Sequence, residues 1–384
     1  MTRPPTYRRW AASLPTPEQE LLLRAALLNG EPAYNAWAEW KTRADLNNLD
    51  AGSHRLLPLL YKNLTEQKIE DDLTDRLKGI YRKTWYKNQL LFHHATEVLG
   101  LFERAGIESL VCKGVPLALK YYGDIGLRPM SDVDVLIEKD RVRAAAGILK
   151  DAGWVQDPST RSLKLEYLIE VGNECCFYHP SHQSELDLHW SLYPDPPSAD
   201  FNKEIWHRRS PFQWGDIRIA IMDPTDEFLF GCFHGSRANV ISPIRWIADA
   251  HMIARSSGSQ IDWDRVLRIA REERFVLAFK NTLTYLHANS IAPIPDGVLH
   301  AIQRTPAKFA DRLEYWCRNR KPSFLVVFLN RWFFYSRMNR SAPLVYRLAM
   351  FPGHIRARWG ARNWWQFLRW GAGKMRRRVW IRQQ

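Results

Sequence analysis

Two aspartates one residue apart, Asp132 and Asp134 in "RPMSDVDVLI", lie in a stretch whose other residues read as a buried strand. Residues i and i+2 of a strand face the same side, so the two carboxylates project together, with Cα atoms about 6.6 Å apart. Anions that close repel each other, and a divalent cation between them removes the repulsion. Mg²⁺ suits the pair, because it favours carboxylate oxygens and keeps coordination positions for water and phosphate. A third carboxylate would complete a two-metal site. "SELDLHW" offers one: Glu185, Asp187 and His189 share a strand face opposite Leu186 and Leu188. Asp187 is the expected third ligand and Glu185 its rival. His189 reads equally well as a strand-end histidine with no chemical part.

Phosphate-binding residues lie upstream. Lys113 and Gly114 fall at a turn between an apolar strand and a helix, where backbone N–H groups are free to meet a phosphate. Arg128, just before the aspartate pair, carries a charge toward the same phosphates. A strand, a glycine turn opening a helix, then Asp-x-Asp on the next strand is the layout expected of a nucleoside triphosphate site without a Walker loop.

These residues resemble the uncharacterised bacterial nucleotidyltransferase family of the polymerase-beta-like nucleotidyltransferase superfamily. The resemblance is carried by "LVCKGVPLALKYYGDIGLRPMSDVDVLIEKDRVRAAAGILKDAGW" (110–154), "ELDLHWSL" (185–192) and, less specifically, "FHGSRANVISPIRWIADAHMI" (233–253). It implies Asp132, Asp134 and Asp187 as metal ligands, Gly114 at the triphosphate turn, and Mg²⁺-dependent transfer of a nucleotide to a hydroxyl acceptor, a small molecule or saccharide. One departure is visible. Better-studied superfamily members carry Gly-Ser about a dozen residues before Asp-x-Asp, whereas this chain has Lys-Gly, with 17 residues between Gly114 and Asp132. Two other readings stand beside this one: an RNA-directed, toxin-like nucleotidyltransferase, and a catalytically inactive nucleotide-binding scaffold.

Helices and strands must hold these groups in place. The first 75 residues, including "EQELLLRAALLNG" and "HRLLPLLYKNL", are dense in leucine and poor in strand formers, which predicts an N-terminal helical region. A long helix is expected from Leu77 to Ala105, with Leu91, Ala95, Val98 and Phe102 at helical intervals. Strand, helix, strand and helix follow through Gly153, and "ECCFYHP" and "SELDLHWSLY" read as two further strands. Residues 76–222 thus form a small mixed-sheet core, and the fold class is α+β. Residues 223–312 read as a helical substrate domain, whose His234 and Asp249 are candidates to reach the cleft. Residues 313–384 form a basic, aromatic-rich tail.

Composition sets the surroundings. The profile of 46% hydrophobic and 25% charged residues is that of a folded globular chain. No apolar run near the N-terminus has the length of an export signal, so a cytoplasmic protein with five reduced cysteines is expected. Of the 55 Lys and Arg, 16 fall between Tyr315 and Gln384, a segment without Asp or Glu, leaving 39 against 41 acidic residues elsewhere. The formal charge of +14 is therefore a property of the C-terminal segment, and it points to an anionic partner. "SFLVVFLNRWFFY" (323–335) is too short to span a bilayer. Trp364, Leu368 and Met375, with Lys374, Arg376, Arg377 and Arg378, have the composition of an interfacial anchor. Peripheral attachment to an anionic membrane through residues 323–384 is the expectation, with nucleic acid less favoured.

Overall fold

The computed structural model describes residues 14–157, 165–182, 184–192, 199–236, 244–320, 323–358 and 365. Four helices open the chain: α1 (Pro17–Leu27), α2 (Glu31–Arg43), α3 (Ala51–His54) and α4 (Leu57–Glu66). Thr16 caps α1 in a capping box with Gln19, and Pro17 sits in the first turn, where its missing N–H costs nothing. The long helix α5 (Thr74–Arg104) buries Leu91, Ala95, Val98 and Phe102, the stripe expected from their spacing.

The sheet begins with β1 (Leu110–Cys112). After Lys113 comes the helical turn α6 (Gly114–Pro116), which runs on as a π-helix over Leu117–Tyr122. Then come β2 (Asp132–Leu136), α7 (Val142–Asp151), β3 (Val155–Gln156), α8 (Leu165–Val171), β4 (Glu174–His179), β5 (Ser184–His189) and α9 (Ala199–Arg208). A hairpin of β6 (Ser210–Trp214) and β7 (Ile217–Ile221) completes the sheet. The seven strands lie in the order β3-β4-β5-β2-β1-β7-β6, with β2 parallel to β5, β1 parallel to β7 and the other neighbours antiparallel. The α+β class holds. The sheet is wider than the sequence pattern suggested, because the β6–β7 hairpin extends it beyond β1. That hairpin turns at Gly215, whose φ of 57° suits glycine.

Val133 and Val135 of β2, Leu186 and Leu188 of β5 and Phe177 of β4 point to one side of the sheet. There they are buried with the apolar stripe of α5 and with Val142, Ala145, Ala146 and Leu149 of α7. On the other side, Leu110, Cys112 and Leu136 join a second core formed by α1–α4, the π-helix and the helices after the sheet. Those helices are α10 (Pro224–Gly235), α11 (Arg245–Ser257), α12 (Trp263–Glu272), α13 (Val276–Ala288) and α14 (Asp296–Arg304), followed by α15 (Phe309–Arg318), α16 (Phe324–Met338) and α17 (Leu344–Arg358). Asp223 caps α10 by accepting the Asp226 N–H at 2.8 Å. Among the described residues no helix is long and apolar enough to cross a membrane.

Candidate active site

The strand register builds the site as a grid. In the parallel pair Asp132 lies opposite Glu185, Asp134 opposite Asp187 and Leu136 opposite His189. The antiparallel partner β4 puts Tyr178 beside Glu185, Cys176 beside Asp187 and Glu174 beside His189. Strand alternation then gives one face all of the polar groups, while the valines and leucines between them fill the core behind. The outermost row is Tyr178, Glu185 and Asp132, of which Glu185 is exposed. The middle row is Cys176, Asp187 and Asp134, with Cys112 next across on β1. The third row is Glu174, His189 and Leu136, with His189 and Leu136 buried.

Asp134 is buried, and its Oδ1 accepts from the Lys113 ammonium and lies 2.8 Å from His189 Nε2. Burial works against its charge, but Lys113 and His189 outweigh burial and hold the carboxyl well below the ordinary range. The other nitrogen of His189, Nδ1, is 3.1 Å from Glu174 Oε2. Burial opposes a charged imidazole there, yet the two carboxylates raise its pKa to about 9. His189 is therefore no idle strand-end residue. It lies between the two carboxylates, with Nε2 at Asp134 and Nδ1 within ion-pair range of Glu174.

Asp187 is half-buried, and its pKa rises to about 6, first from burial and then from the Asp134 charge across the strand boundary. Ligand atoms of Asp134, Asp187 and His189 lie within 4.8 Å of one another. Two carboxylates and an imidazole at this spacing could hold a divalent metal ion. Asp132 stands one strand step outward on the same face, hydrogen-bonded at 3.3 Å by the Ser131 hydroxyl and outside that close cluster. Glu185 is exposed and its pKa is raised, by burial first and then by Asp132 and Asp157.

Lys113 adopts φ 55° and ψ −109°, a conformation that a residue with a Cβ rarely takes. That backbone turns its side chain toward Asp134, with Nζ 5.7 Å from the centre of the Phe230 ring on α10. Gly114 has a different reason to be glycine. A Cβ there would meet Met130 Sδ at 2.6 Å and Arg128 Nη1 at 3.2 Å, so glycine allows the segment before β2 to close onto the turn.

Arg128 is buried and locked in a fork: Nε and Nη2 donate to Asp249 Oδ1 and Oδ2 at 2.8 and 3.0 Å. Tyr122 donates to the same Oδ1 at 2.8 Å. Asp249 on α11 thus reaches the core, and only Nη1 of Arg128 points at the Lys113–Gly114 turn. His234 is exposed on α10, its ring 5.9 Å from that of Phe230.

Sequence reasoning passed over Glu174 and Arg245. Glu174 opens β4 and becomes a partner of His189 only once the strands are paired, a relation that no local spacing carries. Arg245 opens α11 and donates from Nη1 to the Pro129 carbonyl. Burial, and then repulsion from Arg128, pull its guanidinium down to about 10, so it is still a cation at neutral pH. A cavity of about 540 Å³ lies at the other end of β1, bordered by Ser109, Trp206 and Arg209, and contains none of these groups.

No curated protein gives a significant match to the chain. The family described as "uncharacterised nucleotidyltransferase" matches residues 50–289, which include β1, the Lys113–Gly114 turn, both acidic strands and α10 through α13. The chain belongs to that nucleotidyltransferase family.

Proposed function

We propose that the protein catalyses Mg²⁺-dependent transfer of a nucleoside monophosphate from a nucleoside triphosphate to a hydroxyl acceptor, a small molecule or saccharide. The observation that carries this reading is the register placing Asp134 beside Asp187 with Asp132 on the same face, in a chain of this family. Asp132, Asp134 and Asp187 would hold the metal, which when bound neutralises triphosphate oxygens and orients the attacking oxygen.

The chain's own groups have distinct tasks. His189, fixed by Glu174, keeps the Asp134 carboxylate from rotating. The Lys113 ammonium, held at Asp134, is the cation nearest the carboxylates and turns to the triphosphate when a nucleotide arrives. Nη1 of Arg128 and the remaining donors of Arg245 add charge beside Gly114, for the terminal phosphates. The acceptor oxygen forms a bond to the α-phosphorus while the α–β bridge bond breaks. Pyrophosphate leaves with that electron pair, and Asp187, the less buried of the central carboxylates, takes the acceptor proton.

The test incubates purified protein with each α-labelled nucleoside triphosphate, Mg²⁺ and a cell extract. The expected result is label on a small molecule or saccharide, released pyrophosphate, and loss of both with Asp134→Asn. Label on RNA would identify the acceptor as nucleic acid. No labelled product and no pyrophosphate under any condition would leave a nucleotide-binding scaffold and overturn the enzymatic reading.

A further inference from the structure

Five exposed large apolar side chains lie together on α17, far along the chain from the acidic grid. One side of α17 is ordinary: Phe351 and Ile355 are buried, and Phe351 packs on Phe328, Trp332 and Tyr335 of α16. Arg347 is tied back to α16 through the Ser336 hydroxyl at 2.6 Å. The rest of its surface should then be polar in a helix that simply caps a hairpin. It is not. Val345 is 78% exposed and Leu348 55%, and Leu344, Tyr346 and Met350 stand out beside them, with Ala349 and Pro352 filling the gaps. The first turns of α17 therefore present apolar side chains to the outside over most of their circumference.

The charge of the segment that carries this face selects what covers it. From Tyr315 onward the chain has 16 Lys and Arg and no carboxylate. Arg318, Arg337 and Arg340 pair with Glu273 and Glu314, which belong to the preceding helical region. A second copy docking here would bring an equally basic segment against the first. Nucleic acid would match the charge but not the face, which offers aliphatic side chains where stacking needs aromatic ones; Tyr346 is its one aromatic. A lipid surface with anionic headgroups matches both, taking leucine, valine and methionine into the acyl boundary and arginine among the headgroups.

We propose that α17 lays its Val345–Leu348 face on an anionic membrane surface, holding the nucleotidyltransferase fold at the bilayer without crossing it. The anchor then centres on α17 itself. The tryptophan- and arginine-rich stretch after it lies outside the described residues, except for Trp365, which is exposed. A chain cut at Pro352 would keep most of this face, so point substitutions test it better than truncation.

The experiment is flotation of the full chain with vesicles of phosphatidylcholine alone or mixed with phosphatidylserine, at low and high salt. The wild type should rise with the anionic vesicles at low salt and remain below with the neutral ones. The double variant Val345→Glu, Leu348→Glu should lose about tenfold in bound fraction while melting with the wild type. Because both residues are exposed, Val345→Ser, Leu348→Ser serves as a second, uncharged variant with the same expected direction. Wild-type protein that stays at the bottom, or a double variant that floats as well as the wild type, would overturn the proposal. So would equal flotation with neutral vesicles and in high salt, which removes the headgroup contact. A wild type that is dimeric in solution and bound to no vesicle, alongside a monomeric double variant, would hand the face to a second copy. None of these outcomes bears on transfer of the nucleotide label, which tests the catalytic reading separately.

Discussion

Two charged clusters flank the Lys113–Gly114 turn, and they are built on opposite plans. On the sheet, five carboxylates (Asp132, Asp134, Glu174, Glu185, Asp187) face two cations, Lys113 and His189. Toward the helices, Arg128 and Arg245, with Arg55 near Arg245, face the Asp249 carboxylate, while burial pushes the pKa of Glu227 well above the ordinary carboxylate range. The basic cluster is geometrically closed, since a bidentate fork and a tyrosine hydroxyl satisfy Asp249. The acidic one is open: one carboxyl is pulled down by its partners while its neighbour across the strand is pushed up. A closed buried pair holds two parts of a fold in register. An open cluster of one sign calls for a counter-ion. The contrast separates the groups that position the site from those that must meet a ligand.

The largest effect is expected where the open cluster loses its centre. Asp134→Asn should lower turnover on the order of 10³-fold or more, as Asp187→Asn should, whereas Glu185→Gln on the outermost row should stay close to wild type. The metal-free melting temperatures then divide the two aspartates. Asp134→Asn leaves the Lys113 and His189 charges against an amide and should melt lower. Asp187→Asn removes a carboxylate that repels Asp134 and should hold or melt higher. Equal shifts in both variants would mean that the two carboxylates are electrostatically equivalent, and the open-cluster description would fail.

Next in size is the closed cluster. Asp249→Ala leaves the Arg128 guanidinium buried without its partner and should cost about 3–5 kcal/mol, while Asp249→Leu combined with Arg128→Met should recover much of that loss. The pH dependence follows from the shift of Asp249, which burial opposes and Arg128 drives downward. A depressed carboxylate stabilises fully above the ordinary carboxylate pKa, and the contribution is lost as pH falls below that value toward the folded one. Chemical denaturation at neutral pH and at progressively lower pH should show the wild type losing its advantage over the double variant on acidification. An unchanged difference would show that the pair does not titrate as described.

The two clusters also differ in how far the sequence reveals them. Asp132 and Asp134, the Lys113–Gly114 turn and the Glu185, Asp187, His189 face are legible because strand alternation is a local rule, and six or seven residues suffice to state it. The small mixed sheet follows from the same pattern, and the α5 stripe from helical spacing. The closed cluster is not legible in this way. Arg128 and Asp249 lie 121 residues apart, and an arginine before an aspartate pair reads most simply as a phosphate ligand. In the folded chain two of its three guanidinium nitrogens are already engaged by Asp249 on α11. The strained Lys113 backbone, the service of Glu174 to His189 and the β6–β7 hairpin were hidden for the same reason: each depends on which segments meet.

Arg245 is where the two clusters come closest in function, and its loss should give the smallest and most selective effect. Its Nη1 is anchored on the Pro129 carbonyl, three residues before Asp132, and its charge lies beside Arg128 with Asp249 satisfied mainly by the latter. A guanidinium so placed has donors to spare for an anion near Gly114, and Gln in its place keeps a hydrogen bond to Pro129 while removing the charge. Arg245→Gln should therefore weaken binding of a nucleoside triphosphate about tenfold and leave binding of the corresponding monophosphate nearly unchanged, with the melting temperature close to wild type. Calorimetric titration with both nucleotides, using a triphosphate analogue that cannot be cleaved between its α- and β-phosphorus atoms, reads the two affinities directly. If the monophosphate weakens as much as the triphosphate, or the variant melts well below the wild type, Arg245 belongs with the closed cluster as a packing residue. The cation that meets the terminal phosphates would then be Lys113 alone.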